Sequence, residues 1–599
     1  MNATKRFIVL TLCVLFLYNF PGCQLIDASY LEIQVEDEVD SIDNIQKEAE
    51  KEDEPLYGGS INIPMLREDN HLPLITSSKD IINISGLIYE GLIELDDELK
   101  PAPALAESWS VSDDGKVWTF KLRHGIKWHD GMSFSIEDVL FTIDVLRHGG
   151  FDSYYAKKFN RVNGIQVIKG IGQNTLYIEL DEPVSYLLES LAFPIIPRHV
   201  FGYVEETLEE QDDEQDETAD DQIGDSEEEL EDEDETDEDN KTDIQYIKLH
   251  NMMPIGTGPY KVEPGSYKPY EEFSLVRDNS YWGDKPYIDR IRVKVYDDAS
   301  HIMKAFNKGE IDVFDTNVVF VDSYIEHSKA KRTRYLTSTY EFLAINHNNP
   351  IFNDINIRKA LAFGIDRKDI IKTIYLNNAE AIDTPISPDS WLFDANTRIY
   401  DRDVDRAIEL LEGAGWKYLN EEGIREKTID GERVELRFKL VTNMENDPRK
   451  DAAEAIRRQL SNSRDGLGIY IEVEIVEWDK IVGEIIPNKD FDLLLIGHHM
   501  PEMPDLEFLF GSEGEYNFLG YESSILDELI LESRHLISED HIRQAYKDIQ
   551  NHFVENIPTI SLYYPTNSIL TSAKIRGKKL PRDLNIYKNI EDWYVNYKK

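Results

Sequence analysis

An acidic run between residues 204 and 243 constrains the fold more than any other feature of the sequence. It contains 24 Asp or Glu residues and one Lys. With almost no apolar side chains, the run cannot bury enough surface to offset the entropy of ordering, so the sequence predicts a disordered segment. A calcium site is the alternative, but no D-x-D-x-D-G loop with a distal glutamate is present. Globular sequence resumes on both sides, which indicates an insertion within one protein.

The first 23 residues have the pattern of an export signal. Lys5 and Arg6 precede an apolar stretch at 7–20, which is shorter than the roughly 20 apolar residues of a membrane span. Cys23 stands where a bacterial lipobox has its lipidated cysteine, although the residues before it depart from the favoured ones. An ordinary signal peptide or signal anchor is the alternative. We predict an exported protein, anchored by lipid at Cys23 on the outer face of the bacterial cytoplasmic membrane.

Two acidic segments carry most of the excess charge of the chain. The formal net charge is -52, of which the acidic run contributes -23 and residues 24–55 contribute -10. Residues 24–56 therefore resemble an extended, self-repelling tether. An acidic chain argues against nucleic-acid binding, which needs basic side chains opposite phosphates. The second cysteine, Cys13, lies within the signal, so the mature chain contains no pair for an internal disulfide.

The rest of the sequence has the mixed pattern of an α/β protein. Gly58–Ile63 and Trp118–Leu122 alternate like strands. Ser135 has the residue type of a helix N-cap. Helical periodicity covers 357–371 and 404–414, and the second stretch ends before Gly415, a suitable C-cap; 434–440 and 469–476 alternate like strands.

Six segments, in a fixed order, carry a family resemblance. They are 87–92; 106–109 with 115–120; 122–131; 256–260 with 279–282; 357–361 with 365–367; and 407–416. Each is a weak signal by itself. Together, across about 500 residues, they resemble the family 5 extracellular solute-binding proteins, which include oligopeptide-, dipeptide- and nickel-binding members.

Most residues of these motifs also have a purely structural interpretation. The glycines favour tight turns, at Gly125, Gly131, Gly256 and Gly258. The tryptophans are interpreted as packing anchors rather than ligand contacts, at Trp109, Trp118 and Trp128. The motifs therefore identify the fold more than they mark the site.

The resemblance implies a two-lobed α/β fold of the type II periplasmic-binding class, with the ligand cleft between the lobes. Transferred to this sequence, the first lobe comprises 57–101 and 244–335, its extra subdomain 102–203, the second lobe 336–557, and 558–599 return to the first lobe. The implied function is capture of peptides in a closing cleft and delivery to ABC permease subunits with cytoplasmic ATPases. We expect a monomer without catalytic activity or cofactor.

The resemblance places two segments of this sequence at the cleft, and both match the corresponding family segments without a shift. Ser77, Ser78 and Lys79 match a stretch that pairs with peptide backbone. Trp478 matches a pocket tryptophan of the peptide binders, and core packing is the alternative for its side chain.

A third segment, 497–505, matches the neighbourhood of an aspartate that pairs with the ammonium group of a peptide. Met500 falls at the place of that aspartate in an ungapped match. Glu502 is the nearest carboxylate and could serve after a small shift of the loop. This departure leaves open whether a free ammonium group is recognised.

His498, His499 and Met500 raise a metal hypothesis, because imidazole and thioether ligands suit nickel or copper. Adjacent histidines on an extended segment point to opposite faces, so no metal ligands are assigned. A nickel, metal-chelate or other small-solute binding protein of the same fold is the alternative function.

Two further classes of protein are weighed against the binding-protein interpretation. A hydrolase is disfavoured because the sequence lacks H-E-x-x-H and G-x-S-x-G motifs and a mature thiol nucleophile. A peptide-signal receptor would keep the same fold and cleft and differ only in its partners.

Overall fold

The computed structural model of the protein describes residues 54–202, 253–316, 330–397, 400–461, 466–502 and 505–596. The predicted export signal with Cys23, nearly all of the tether and the acidic insertion lie outside these residues. Within the described ranges, no helix combines the length and the apolarity that crossing a bilayer requires.

A four-stranded sheet forms the centre of the first half of the fold. Its strands are β1 (Ser60–Leu66), β8 (Tyr260–Val262), β9 (Glu272–Arg277) and β10 (Arg290–Tyr296), in the spatial order β1-β10-β9-β8. The pairing of β1 with β10 is parallel and the other pairings are antiparallel. Ile61, Ile63 and Met65 alternate along β1 and are fully buried. The strand predicted at 58–63 therefore begins two residues later.

A second four-stranded sheet packs beside the first. It comprises β4 (Ala106–Val111), β5 (Val117–Leu122), β6 (Ile165–Ile171) and β7 (Thr175–Leu180), in the antiparallel order β4-β5-β7-β6. The predicted strand at 118–122 lies within β5. Trp118 and Trp128 are buried in the core shared by both sheets, as expected of packing anchors.

Helices and short strands complete this half. The helices are α1 (Lys79–Ile88), α2 (Ile136–His148), α3 (Tyr154–Asn160), α4 (Leu187–Ser190), α5 (Arg198–Phe201) and α6 (Ala299–Asn307), with a 3₁₀ turn at Pro73–Ile75. The short strands are β2 (Ile93–Leu95), β3 (Pro101–Pro103), β22 (Ile575–Arg576) and β23 (Tyr594–Val595), with a 3₁₀ turn at Ile590–Asp592. Ser135 caps α2 in a reciprocal capping box with Asp138, as its sequence predicts.

The second half of the fold is built on a sheet that is buried on both faces. Its strands are β13 (Thr339–Ile345), β18 (Arg437–Asn443), β19 (Tyr470–Val476) and β20 (Leu493–His499), in the order β13-β20-β18-β19. Leu343 and Ile345 join one core cluster, and Phe342 and Ala344 join another on the opposite face. The central strands therefore read as continuous apolar runs.

Helices cover both faces of this sheet. They are α7 (Ile355–Gly364), α8 (Arg367–Thr373), α9 (Val404–Gly413), α10 (Asp447–Ser461), α11 (Trp478–Lys480), α12 (Ile486–Asn488), α13 (Glu507–Phe510), α14 (Ser524–Arg534) and α15 (Glu539–Asn556). A π-helical turn at Ile481–Ile485 joins α11 to α12, and 3₁₀ turns occur at Pro350–Asn353 and Ala395–Thr397. The remaining strands are β14 (Ala379–Ala381), β15 (Tyr418–Leu419), β16 (Arg425–Ile429) and β17 (Glu432–Glu435).

Two predicted elements are each divided in the structure. The helical pattern at 357–371 forms α7 and α8, because Asp366 accepts a hydrogen bond from the backbone of Asp369 and starts a new helix. The strand pattern at 434–440 is divided at Leu436. Before it, β17 pairs with β16 in a small sheet, and after it β18 joins the main sheet.

Three strands connect the halves. They are β11 (Val313–Thr316), β12 (Lys331–Leu336) and the 13-residue β21 (Thr559–Thr571). The first part of β21 pairs with β13, and its second part pairs with both β11 and β12. The boundary predicted at 558 falls at the start of a strand that both halves share. We call residues 54–202, 253–310 and 572–596 lobe I and residues 338–557 lobe II.

The motif glycines serve two different purposes. Gly125 and Gly131 have φ values of 77° and 91°, which fits the predicted turns. Gly256 and Gly258 instead pass close to the end of α1, where an added Cβ would lie 1.8 Å and 2.8 Å from the carbonyl oxygen of Ile88. These two positions need glycine for close backbone approach rather than for a left-handed turn.

Candidate functional site

A cavity of about 340 Å³ lies between the lobes. Lobe I contributes α1, the segment that follows it, α3 and the segment 582–591; lobe II contributes 385–390 and 500–502; the connecting strands contribute Leu336, Thr337 and Tyr564. The lobes also bond directly to each other beside it, since the backbone nitrogen of Trp391 donates to the Glu98 carbonyl at 2.8 Å. A cleft of this size at a lobe interface is a typical small-ligand site.

The topology of lobe II explains why its wall lies here. Strands β18, β19 and β20 are parallel to one another, so their carboxyl ends meet at one edge of the sheet. Ligands of open α/β sheets bind outside such an edge. β20 ends at His499, and the chain then supplies Met500, Pro501 and Glu502 to the cavity.

Gly497 on β20 is required by a buried ion pair beneath this edge. The Arg449 guanidinium donates to both carboxylate oxygens of Glu341, at 3.0 Å and 2.7 Å. A Cβ at position 497 would lie 2.5 Å from the arginine and 2.6 Å from the glutamate. A larger residue at this position would displace the Arg449–Glu341 ion pair.

Glu502, one of the predicted ligand contacts, bridges the lobes. Its Oε1 atom accepts a hydrogen bond from the Tyr154 hydroxyl at 2.9 Å and pairs with the Lys158 ammonium at 3.1 Å. Burial alone would raise the pKa of the Glu502 carboxyl, but Lys158 and the hydrogen bonds outweigh it, so the pKa is lowered. Met500 is buried and also lines the cavity.

Ser77, Ser78 and Lys79 lie at the start of α1 and do not line the cavity themselves. Lys79 pairs with Asp583 at 3.0 Å, and Asp583 is part of the cavity wall. Asp583 also accepts a hydrogen bond from the backbone nitrogen of Ser338 at 2.9 Å. Through this carboxylate the predicted segment is joined to the cavity and to lobe II.

The two histidines of β20 face different partners. The ring of His498 packs on Phe508 with centroids 4.9 Å apart, and burial lowers its pKa to about 4. His499 lies against the ring of Tyr154, at 6.3 Å between centroids. Among the described residues, no group of three or more His, Cys, Asp or Glu side chains is arranged to hold a metal ion.

Trp478 lies outside the cavity but on the same edge of the lobe II sheet. It follows the end of β19, and its backbone nitrogen donates to Glu445 at 2.9 Å. Two strand spacings of about 4.8 Å separate β19 from β20, so the end of β19 that leads into Trp478 lies about 10 Å from β20. Its side chain is 40% exposed and so is available to a ligand rather than part of the core.

A second carboxylate on the lobe I wall was not singled out from the sequence. Glu90 accepts hydrogen bonds from the Tyr281 hydroxyl at 2.9 Å and the Trp282 ring nitrogen at 2.8 Å. Burial raises its pKa to about 7, against the lowering effect of these donors. All three residues belong to motifs of the family resemblance. Membership in these motifs was the only feature of the sequence that could have marked them as part of the site.

Two cations of the lobe I wall, Arg582 and Lys588, are largely enclosed, with side chains 15% and 14% exposed. Lys588 donates to the carbonyl of Leu95 at 2.5 Å. Both cations pair with Asp97, at 3.6 Å from Lys588 and 3.9 Å from the Nη2 atom of Arg582. Burial lowers the pKa of both groups. Including Lys158, lobe I gives the cavity three basic residues and the carboxylates Glu90, Glu94, Asp583 and Glu591, and lobe II gives it Asp389 and Glu502. The cavity therefore offers partners for both signs of charge.

Comparisons with known proteins agree with this architecture. The model of the family described as bacterial extracellular solute-binding proteins, family 5 Middle, matches residues 100–517. The oligopeptide-binding protein AppA of Bacillus subtilis is 26% identical over 550 residues, covering 90% of this chain and 92% of AppA. The nickel-binding periplasmic protein of Escherichia coli is 27% identical over 363 residues, covering 59% and 60%. The structure of AppA from Bacillus subtilis with a nonapeptide superposes with a TM-score of 0.59 at 24% identity, covering 90% of this chain and all of AppA.

Proposed function

Because the chain belongs to family 5 of the bacterial extracellular solute-binding proteins, we propose that it captures peptides in the cavity between its lobes. The observation that supports this most directly is the cavity between the lobes, whose walls come from both lobes and carry carboxylates and cations. A peptide has hydrogen-bonding groups along its backbone and opposite charges at its ends. Polar walls that carry both signs of charge can therefore bind a peptide independently of its side chains.

Capture follows from movement of the lobes about the connecting strands. In the open form the ligand meets one wall and water. Closure brings the second wall against the ligand and removes water, which strengthens every charge-assisted bond in the site. The ligand stabilises the closed form by its extra contacts there, and that form is what the membrane permease would bind. This role requires no catalytic activity.

The size of the cavity favours short ligands. A volume of about 340 Å³ is near the lower end of the roughly 300–1,000 Å³ typical of ligand sites. A longer peptide would have to continue along the sheet edge toward Trp478.

Delivery and anchoring complete the proposal. We place the protein outside the cytoplasmic membrane, held by lipid at Cys23 and by the acidic tether, as a monomer that supplies ABC permease subunits. Labelling of the intact chain with a radioactive fatty acid, and its loss in a Cys23→Ser variant, tests the anchor.

The ligand is tested by recovering it. The mature chain from residue 24 onward is purified and examined by native mass spectrometry, with elemental analysis for metals. We expect a series of short-peptide masses that disappears on partial unfolding. A stoichiometric metal, or one defined small molecule without peptides, would overturn peptide capture and favour a metal-chelate or small-solute binder.

A further inference from the structure

The cavity contains an internal ammonium group that already pairs with Glu502, a carboxylate of lobe II. Lys158 and Tyr154 both bond to the same oxygen of Glu502. The lysine side chain is only 10% exposed and the glutamate 22%, and all three residues line the cavity. A ligand cation at the paired oxygen of Glu502 would have to displace Lys158 into a site with little water. A ligand cation at the other oxygen would meet the like charge of the Lys158 ammonium group beside it.

Helix α3 presents Lys158 for this contact. Ser153 caps the helix by accepting a hydrogen bond from the backbone of Ala156, and positions 154 and 158 are one turn apart on one face. Lys157, the residue just before it on the same helix, pairs instead with Asp152 in solvent, with 61% of its side chain exposed. The pairing with Glu502 therefore depends on position and is not shared by neighbouring lysines.

We propose that Lys158 determines ligand specificity by occupying Glu502, so that this part of the cavity receives an uncharged segment of the ligand rather than an ammonium group. The inference rests on the proposed peptide-capture function. For a peptide, it means that the amino end is not recognised at Glu502, and a blocked amino end binds as well as a free one.

Other carboxylates offer the competing location for a ligand ammonium group. Glu94, Asp389 and Glu591 line the cavity, and burial raises the pKa of each. Glu90 is held by two neutral donors. If a free amino end bound at any of these groups, blocking it would weaken binding to the wild-type protein, which the experiment below detects.

The test compares two peptide probes. The mature protein is incubated with a mixed tripeptide library with free amino ends and with the same library after N-acetylation, and bound peptide is measured by native mass spectrometry. We expect the wild-type protein to bind both within about threefold. In Lys158→Met, Glu502 loses its internal cation and becomes available to the amino group of a ligand. Peptides with free amino ends should then bind at least about tenfold more tightly than acetylated ones, because they gain one charge-assisted hydrogen bond.

Three control variants make the result specific. Lys158→Arg keeps a cation at the carboxylate and should retain the wild-type ratio. Lys157→Met removes a charge from the same helix and should also change nothing. Glu502→Gln keeps the shape of the side chain, and its ratio of free to acetylated binding should stay near that of the wild type. The ratio measured for Glu502→Gln tests the inference even if Lys158→Met does not fold.

Several outcomes would overturn the inference. A wild-type preference above tenfold for free amino ends, an unchanged ratio in a folded Lys158→Met, or a selective loss of free-ended peptides in Glu502→Gln would each do so. Binding of neither library by any variant would overturn the proposed function itself. The two failures are therefore distinguishable.

Discussion

The lobe I wall and the lobe II wall of the cavity each present a glutamate, and the two carboxylates are in opposite electrostatic states. Glu502 of lobe II is paired with a cation, and its pKa is lowered. Glu90 of lobe I is held by Tyr281 and Trp282, and its pKa is raised to about 7. Both are partly enclosed, and both accept two hydrogen bonds. At Glu90, neutral donors leave the pKa raised by burial, whereas at Glu502 the charge of Lys158, together with hydrogen bonds, outweighs burial.

The largest expected effect is on stability when the lobe II carboxylate loses its cation. In Lys158→Met, Glu502 stays enclosed without its cation and keeps the Tyr154 hydroxyl as a side-chain donor, so the free energy of unfolding should fall by about 2–3 kcal/mol. Lys157→Met should change it by less than about 0.5 kcal/mol, because the pair of Lys157 is exposed. Urea denaturation followed by circular dichroism measures both.

A second substitution sharpens this prediction. Adding Glu502→Gln to Lys158→Met removes the unpaired charge, so the double variant should regain part of the lost stability. Equal losses in the variants at 157 and 158 would contradict the interpretation that the interlobe pair, rather than helix charge, provides the stabilisation.

The next effect concerns pH dependence and the lobe I carboxylate. Because the pKa of Glu90 is raised in the folded protein, from 4.5 to about 7, the folded state binds more protons between these values. The wild type should therefore lose stability relative to Glu90→Gln as the pH rises from 5 to 8, by about 2 kcal/mol. Glu189, whose pKa is also raised to about 7, titrates in both proteins and cancels in the difference.

Glu502 supplies the contrasting control for this measurement. Its pKa is lowered from the ordinary value of 4.5, so its stabilising contribution is complete above that pH and is lost only under more acidic conditions. The difference between wild type and Glu502→Gln should be constant from pH 5 to 8. A sloping difference at Glu502, or a constant one at Glu90, would contradict the assigned electrostatic states.

Much of the fold could be predicted because its signals are local. The capping pattern at Ser135 and the alternation at 118–122 each depend on a few consecutive residues. The family and the two-lobed fold, inferred from six such motifs, are confirmed by the family match at 100–517 and by the superposed structures. The errors lie where a local pattern continues across a change of partner, as at Asp366 and Leu436.

The site could be predicted only in part, because its contacts join distant parts of the chain. Glu502 and Met500 were placed by the resemblance, and both line the cavity. Lys158 lies 344 residues from Glu502 in sequence, and no local pattern separates it from Lys157 beside it. The charge state of a cavity carboxylate depends on such long-range partners, so the state follows from the fold and not from the motif.

The smallest effect on stability, and the one that extends the comparison beyond the cavity, is expected at Trp478. Its side chain is 40% exposed, so Trp478→Ala should change the free energy of unfolding by less than about 1 kcal/mol.

The distance of about 10 Å between β20 and the end of β19 that leads into Trp478 equals roughly three residues of extended peptide. A peptide held by the two walls would reach Trp478 only if it extended that far beyond the cavity. In competition binding with tripeptide and nonapeptide libraries, Trp478→Ala should weaken only the nonapeptides, by about tenfold for a lost aromatic contact. An equal loss for both libraries would place Trp478 within the primary site, and no loss for either would confine the ligand to the walls that carry Glu90 and Glu502.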